Sequence, residues 1–218
     1  MNNQSVIALD PTKIRDISPL ALDESGRLKL LPAEFWAGTT VHERAMLGVT
    51  RGLYGFPTVE LIAWLKEVIA DRLAIEIGAG NGILAQGLGI QATDNLMQLE
   101  PEVAQHYATL RQTTVPYGAN VEKLDALSAI SKYKPQVVIS QWVTHKYDPN
   151  RHEAGGNQFG VNEEAVINSC ETYISIGNLK THAGKSIWSL PHKLLKPKFL
   201  YSRAFNGARD YIAIFGKY

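Results

Sequence analysis

Cysteine is almost missing from this chain. Cys170 stands alone among 218 residues, which excludes an intramolecular disulfide and suits a reducing cytoplasm, the expected location. Long apolar runs are missing too. No stretch approaches the ~18 residues of a membrane span, and Met1 to Asp10 lack the basic start and apolar run of a secretory signal. An excess of one charge is also absent: 22 basic and 21 acidic residues leave a formal net charge of +1. Such a chain has no overall field for a phosphate backbone, so bulk charge does not indicate nucleic acid. Lys193, Lys196, Lys198 and Arg203 lie close together, and the plain reading is a solvated face. Histidines with ligand spacing are lacking. His152-Glu153 matches half of a zinc-protease motif, but Gly156 stands where the second histidine belongs, and no metal site is expected. The composition is otherwise that of a folded domain, with 45% apolar and 20% charged residues, which excludes a disordered chain.

What is present is concentrated in residues 74 to 82, Ala-Ile-Glu-Ile-Gly-Ala-Gly-Asn-Gly. A short apolar strand candidate carries one acid, Glu76, and breaks into Gly78, Gly80 and Gly82. Glycine lets a strand turn sharply into a helix and lets the backbone approach a ligand with no Cβ in the way. The dinucleotide fingerprint G-x-G-x-x-G needs a glycine where Ile83 stands, so the spacing departs from it.

The elements around this turn alternate. Residues 1 to 31 show no clear period and are expected as a loosely structured arm. Thr40 and Glu43 have capping-box spacing for a helix ending by Gly55, and Pro57 opens a second helix with an apolar stripe of Leu61, Trp64, Leu65, Val68 and Ile69. Tyr54 and Phe56, on the loop between them, are expected near the pocket, with residues 33 to 70 as its lid. After the turn come a short helix from Ile83, a strand from Ile90 closing on Asp94, and a helix with Val103, Tyr107 and Leu110 on one face. The third strand falls in 114–118 or 121–124, the fourth in Gln136–Ser140 and the fifth in Thr172–Ile176, with a helix start at Asn162 between the last two. Lys198–Phe205 and Tyr211–Phe215 flank Asn206-Gly207, a hairpin signal. The expectation is an open, mostly parallel seven-stranded α/β sheet with helices on both faces and a final antiparallel strand entering by a hairpin. Residues 1–70 form an N-terminal arm and helical extension that is not independent, and 71–218 form the core.

A strand-end acid followed by G-x-G-x-G, and a sheet closed by a hairpin, resemble the Rossmann-like class I S-adenosylmethionine-dependent methyltransferases over residues 58 to 218. The resemblance implies S-adenosylmethionine as cofactor. Its methionine part would pass over the turn formed by Gly78, Ala79, Gly80, Asn81 and Gly82, with Glu76 placing the ammonium group or ordering the turn. Asp94, sixteen positions after Gly78, corresponds to the acid that takes the ribose hydroxyls; it also reads as a helix cap. Asp125-Ala126 resemble the pair that meets the adenine amino group; Val121, Leu124, Leu127 and Ile130 have helical spacing, and in that frame Asp125 is surface, so the two readings stand side by side.

Acceptor chemistry belongs at the carboxyl ends of the later strands. There Gln141, Trp142 and Thr144 are candidate substrate contacts and His145 a candidate general base. Asn178 and His182, after the fifth strand, are candidates for the same pocket. Each has an ordinary structural reading as well. The family's base-amine methyltransferases carry Asn/Asp-Pro-Pro-aromatic at the fourth strand and its cytosine carbon methyltransferases a Pro-Cys; this chain has neither, so a small-molecule acceptor is expected. A binding module without catalysis and a nicotinamide oxidoreductase are the alternatives.

Overall fold

The apolar runs pair side by side into one sheet. In the computed structural model, which describes residues 11–217, seven strands lie in the order β3-β2-β1-β4-β5-β7-β6. They are β1 Ala74–Ile77, β2 Gln91–Asp94, β3 Val121–Lys123, β4 Val137–Gln141, β5 Thr172–Asn178, β6 Lys193–Leu195 and β7 Asp210–Gly216. β1 to β5 are parallel; β7 runs antiparallel to both β5 and β6. Because β1 and β4 are neighbours while β2 and β5 depart on opposite sides, the order reverses between them. Open α/β sheets bind ligands at such a reversal, beyond the carboxyl ends of the strands. The Met1–Asp10 reading lies outside the described residues.

Side-chain alternation builds two cores. Ala74, Val137, Ile139, Ile174, Ile176, Ile212 and Ile214 face one way, covered by α4 (Val59–Ile69) and α5 (Ile83–Leu88). Ile75, Ile77, Val138, Tyr173, Tyr211, Ala213 and Phe215 face the other, under α7 (Ala126–Tyr133) and α8 (Glu163–Ile167). A continuous apolar run is what a strand covered on both faces needs. α4 starts at Thr58, whose hydroxyl accepts from Leu61 N, and sinks Leu61, Ile62, Leu65 and Ile69 into the sheet's core. Each such side chain contributes ~1.5–3 kcal/mol of burial. α3 (Val41–Arg51) begins with the expected capping box, both bonds of Thr40 and Glu43 being made.

Three expectations change. Residues 17 to 31 are not loose: Ile17, Ala21, Leu22 and Leu28 are buried against Trp36, Leu47, Leu53 and Phe56, around α1 (Ser18–Ala21) and α2 (Ala33–Ala37). Phe56 therefore belongs to this core, stacked on Trp36 at 4.6 Å, and only Tyr54 reaches the pocket. Lys198–Phe205 is not the hairpin strand. β7 pairs with Lys193–Leu195 instead, and residues 199–203 spend their backbone groups on the segment before α4: Phe56 N donates to Tyr201 O, Arg203 N to Tyr54 O, and Thr58 Oγ1 to Phe199 O. Finally, α6 (Pro101–Thr109) forms where expected but buries no residue. Among the described residues no helix is long and apolar enough to cross a membrane.

Candidate functional site

The turn after β1 is built on three left-handed glycines, with φ of +58° at Gly78, +55° at Gly80 and +72° at Gly82. They serve differently. A Cβ on Gly78 would lie 2.4 Å from Val143 Cγ1, and one on Gly82 2.7 Å from Val121 Cγ2, so both are packed against protein. At Gly80 an added Cβ meets only Val115 Cγ1, at 3.4 Å. That backbone faces open space, a cavity of about 380 Å³ at the ends of β1, β2 and β4. Ala79 and Asn81 share its wall; Gly82 does not and instead occupies the N-cap of α5.

Two carboxylates organise the turn from below. Glu76 is 1% exposed and its Oε2 accepts from Ala85 N at 2.9 Å, tying β1 to α5. Burial pushes its carboxyl up to about 8, with the nearby Asp94 charge adding to the rise. Asp94, the last residue of β2, accepts from Gly80 N at 2.9 Å and from Leu96 N at 2.8 Å. Burial raises its pKa against both bonds. Each oxygen thus holds one backbone amide, one on the glycine turn and one after β2, and Asp94 also lines the cavity. Asp125 is the N-cap of α7, accepting from Leu127 N and Ser128 N, and its bond with Ser128 holds its pKa low. It is exposed, yet with Ala126 it also lines the cavity.

The other end of the cavity is aromatic. Gln141, Trp142 and Thr144 line it, as does Tyr54 from the chain between α3 and α4. Trp142 holds a left-handed φ of +60°, fixed by its N–H to Ile176 O at 2.8 Å. Its ring lies 6.1 Å from that of Tyr54 and edge-on to His182 at 5.1 Å. Sequence reasoning missed the roof. Tyr54 and Tyr107 hydroxyls meet at 2.8 Å, Gln98 Nε2 donates to both, and Val115 N donates to Gln98 Oε1. Burial raises the Tyr107 and Tyr117 hydroxyls well above their ordinary range. Arg203 stacks behind Tyr54, its guanidinium carbon 3.7 Å from the ring centroid, rather than joining the lysines on a solvated face. Phe159 closes the far rim, where its carbonyl accepts from Asn95 Nδ2. These residues come from segments as far apart as Tyr54 and Arg203, and no local pattern marks them.

Three expected site residues lie elsewhere. Thr144 and Lys146 line the cavity, and the extended chain between them turns His145 the other way. Burial lowers its pKa, with Lys185 next, and its Nε2 is buried without a hydrogen-bond partner. His182 is held neutral: burial, then Lys185, pushes it down to about 3, and its Nδ1 accepts from Asn178 N at 2.9 Å. Asn178 is consumed by structure. Its Nδ2 donates to Ala208 O and Asp210 Oδ1, and its Oδ1 accepts from Lys180 N, Thr181 N and Asn206 Nδ2. Behind these lies a buried chain. Ser140 Oγ is 2.6 Å from the Tyr173 hydroxyl, which donates to Glu163 Oε1; Lys185 Nζ donates to the same oxygen at 2.9 Å. It joins β4, β5, α8 and the loop after β5 without reaching the cavity. Among the described residues, no group of three or more His, Cys, Asp or Glu side chains is arranged to hold a metal ion.

No protein-family profile matches the chain, and no curated protein matches it. Solved structures similar to it include the following three. Thermoplasma acidophilum 1320 has 19% identity and a TM-score of 0.32 over 70% of this chain and 81% of that one. "A putative RNA methyltransferase PH1948 from Pyrococcus horikoshii" has 14% identity and a TM-score of 0.34 over 72% and 79%. SMU.776, "a putative methyltransferase complexed with SAH", has 7% identity and a TM-score of 0.35 over 68% of this chain and 47% of its own. The sheet itself defines the class. A glycine turn after the first strand of a mostly parallel sheet, closed by an antiparallel strand, is the class I methyltransferase fold.

Proposed function

We propose that this chain is a cytoplasmic S-adenosylmethionine-dependent methyltransferase acting on a small-molecule acceptor. The observation that carries the reading is the Gly80 backbone, left-handed and open to the cavity, with Glu76 beneath it and Asp94 beside it. A polar, acid-floored cradle of this kind suits the cofactor. Gly78 to Asn81 would carry its methionine part, Glu76 would face its ammonium group, Asp94 would take the ribose diol, and Asp125-Ala126 would border the adenine. When bound, the cofactor supplies an activated methyl group on a sulfonium. The chain's part is then to align the acceptor and exclude water, through Gln141, Trp142 and Thr144 at the end of β4 and the Tyr54–Gln98–Tyr107 roof.

A second reading is a module that binds the cofactor without transferring the methyl. It is favoured by His145 and His182, which both lie outside the cavity. Calorimetry tests the shared premise. S-adenosylhomocysteine should bind with a Kd in the micromolar range and NADH should give no heat; the reverse result removes both readings and restores a nicotinamide site. Labelled-methyl transfer from S-adenosylmethionine into a metabolite extract then separates enzyme from module.

A further inference from the structure

The charges that line the cavity are sorted by element. The acids Glu76, Asp94 and Asp125 come from β1, β2 and the start of α7, and among the described residues Lys146 is the one cation in the lining. It forms no ion pair with these acids or with any other described residue. Its place in the wall is built. Beyond β4 the chain runs out to Tyr147 and returns over 157–161, and the two runs are laced together. Val161 N donates to Thr144 O at 2.8 Å, Lys146 N to Val161 O at 2.9 Å, and Tyr147 N to Asn157 O at 2.9 Å. Two glycines allow the close approach: an added Cβ would stand 2.1 Å from His145 O at Gly160, and 2.7 Å from it at Gly156. Asn95 Nδ2 ties the returning run to the end of β2 through Phe159 O, at 2.9 Å. With His145 turned out of the cavity, alternation turns Thr144 and Lys146 into it. Further donors share this wall. Thr144 brings a hydroxyl, and Asn162, whose Oδ1 is spent on Ala165 N, keeps its Nδ2.

Resting on the methyltransferase reading, we infer that Lys146 anchors an anionic group, a carboxylate or phosphate, carried by a small-molecule acceptor. The ammonium is a point charge with three donors, which suits either set of oxygens, and a charge-assisted bond is about twice as strong as a neutral one. The cofactor's chemistry adds a second reason. Its sulfonium is a cation, so an unpaired lysine in the same cavity repels it. An anion seated on Lys146 offsets that repulsion when acceptor and cofactor are both bound. The acids at the glycine-turn end repel the same anion, so the sorted charges also fix which way round the acceptor enters. A nucleic-acid backbone is held by several cations at successive phosphates, and this lining offers one. The rival occupant is the cofactor's own carboxylate. Lys146 follows β4, next to Thr144, whereas the methionine part is assigned to the turn after β1. The anion is a handle: it places the acceptor and is not the atom methylated.

Four ring probes of similar size carry the test: benzoate, phenyl phosphate, benzamide and benzylamine. Each is titrated, by ligand-observed NMR, into protein saturated with S-adenosylhomocysteine. Failure of S-adenosylhomocysteine to saturate the protein defeats the methyltransferase reading itself, a separate result. With saturation, at least one of the two anions should bind ~10-fold more tightly than benzamide or benzylamine, the worth of one charge-assisted bond, and the tighter of them names the acceptor's group. Lys146→Gln should reduce that preference to about twofold or less, and Lys146→Arg should keep most of it. The lysine is exposed, so both variants should keep the melting temperature, and S-adenosylhomocysteine affinity should stay within about twofold. Labelled products from a metabolite extract should be retained on an anion exchanger, with the methyl away from the anionic group. Equal binding of all four probes, no binding of any, or survival of the preference in Lys146→Gln overturns the inference. So do methyl-ester products, and so does a single-stranded DNA oligonucleotide that displaces the anions at lower concentration than either binds. A ~10-fold loss of S-adenosylhomocysteine affinity in Lys146→Gln overturns it too, by giving the lysine to the cofactor.

Discussion

Two helices, one on the sheet and one at the cavity, are held in opposite ways. α4 has eleven residues and buries four of them in the sheet's core. α6 has nine and buries none. α4 is packed into the sheet's core and sends no side chain into the cavity; α6 reaches the cavity by Tyr107, whose hydroxyl meets Tyr54 and Gln98. Its ends are marked by two left-handed residues that are not glycine, Leu96 at φ +57° and Arg111 at +55°. Such positions cost of order 1 kcal/mol each and occur where a chain must bend sharply. α4, in the helical extension, is anchored by its apolar stripe, whereas α6 has few buried contacts, the condition under which local opening costs least.

The largest effect that sharpens this contrast is Leu65→Ala in α4, expected to cost ~2–5 kcal/mol in denaturant unfolding. A loss below 1 kcal/mol means that α4 is not the anchored helix described. Next is Asp94→Ala, which removes the proposed ribose contact and also frees the Leu96 amide ahead of α6. Cofactor-product affinity should fall by ~1.5–3 kcal/mol, the range for bonds to a charged group, and the unliganded melting temperature should fall with it. Lost affinity at unchanged melting temperature shows that Asp94 does not hold the segment.

Glu76 tests the packed side through pH. Its carboxyl ionises near 4.5 unfolded and about 8 folded. Between those values the folded state binds more protons, so its contribution to stability falls as pH rises. Glu76→Gln should flatten that decline, measured as the difference in melting temperature from pH 5 to 8. A cationic ammonium favours the ionised carboxyl, so S-adenosylhomocysteine affinity should climb with pH and level off above about 8 in the native chain alone. A variant that keeps the same slope removes Glu76 from both roles. Smaller still is Tyr107→Phe, worth ~0.5–1.5 kcal/mol as a lost hydrogen bond; amide exchange should accelerate across 101–109 and not across 59–69. The smallest is Val103→Ala on α6, expected within ~0.5 kcal/mol.

The glycine-turn end of the cavity was legible because its information is local. An acid on a strand, three spaced glycines and an acid closing the next strand are all within nineteen residues, Glu76 to Asp94, and backbone geometry alone converts them into a site. The acceptor end was not. Gln98, Tyr107, Tyr117 and Phe159 converge through loops whose directions no periodicity encodes. His145 and His182 were attractive by residue type, but which way each points depends on one step of alternation and one hydrogen bond to Asn178. The strand run 198–205 was misread because its backbone partners, residues 54–58, lie more than 140 positions away. By contrast the start of α3, and α5 and β4, were found within a residue or two, since caps and apolar runs act where they stand; α3 itself ends at Arg51, capped by the left-handed Gly52 short of the expected Gly55.

Trp142 gives the site a selective cost. A chain chosen for stability alone would put glycine at that left-handed position, relieving ~1 kcal/mol or more of backbone strain. The ring is kept there, against the local preference, between Tyr54 and His182. Random substitution followed by a screen for heat resistance should therefore favour changes at 142 that hold the fold together while dismantling its pocket, so a thermally improved library from this chain needs a binding screen beside it.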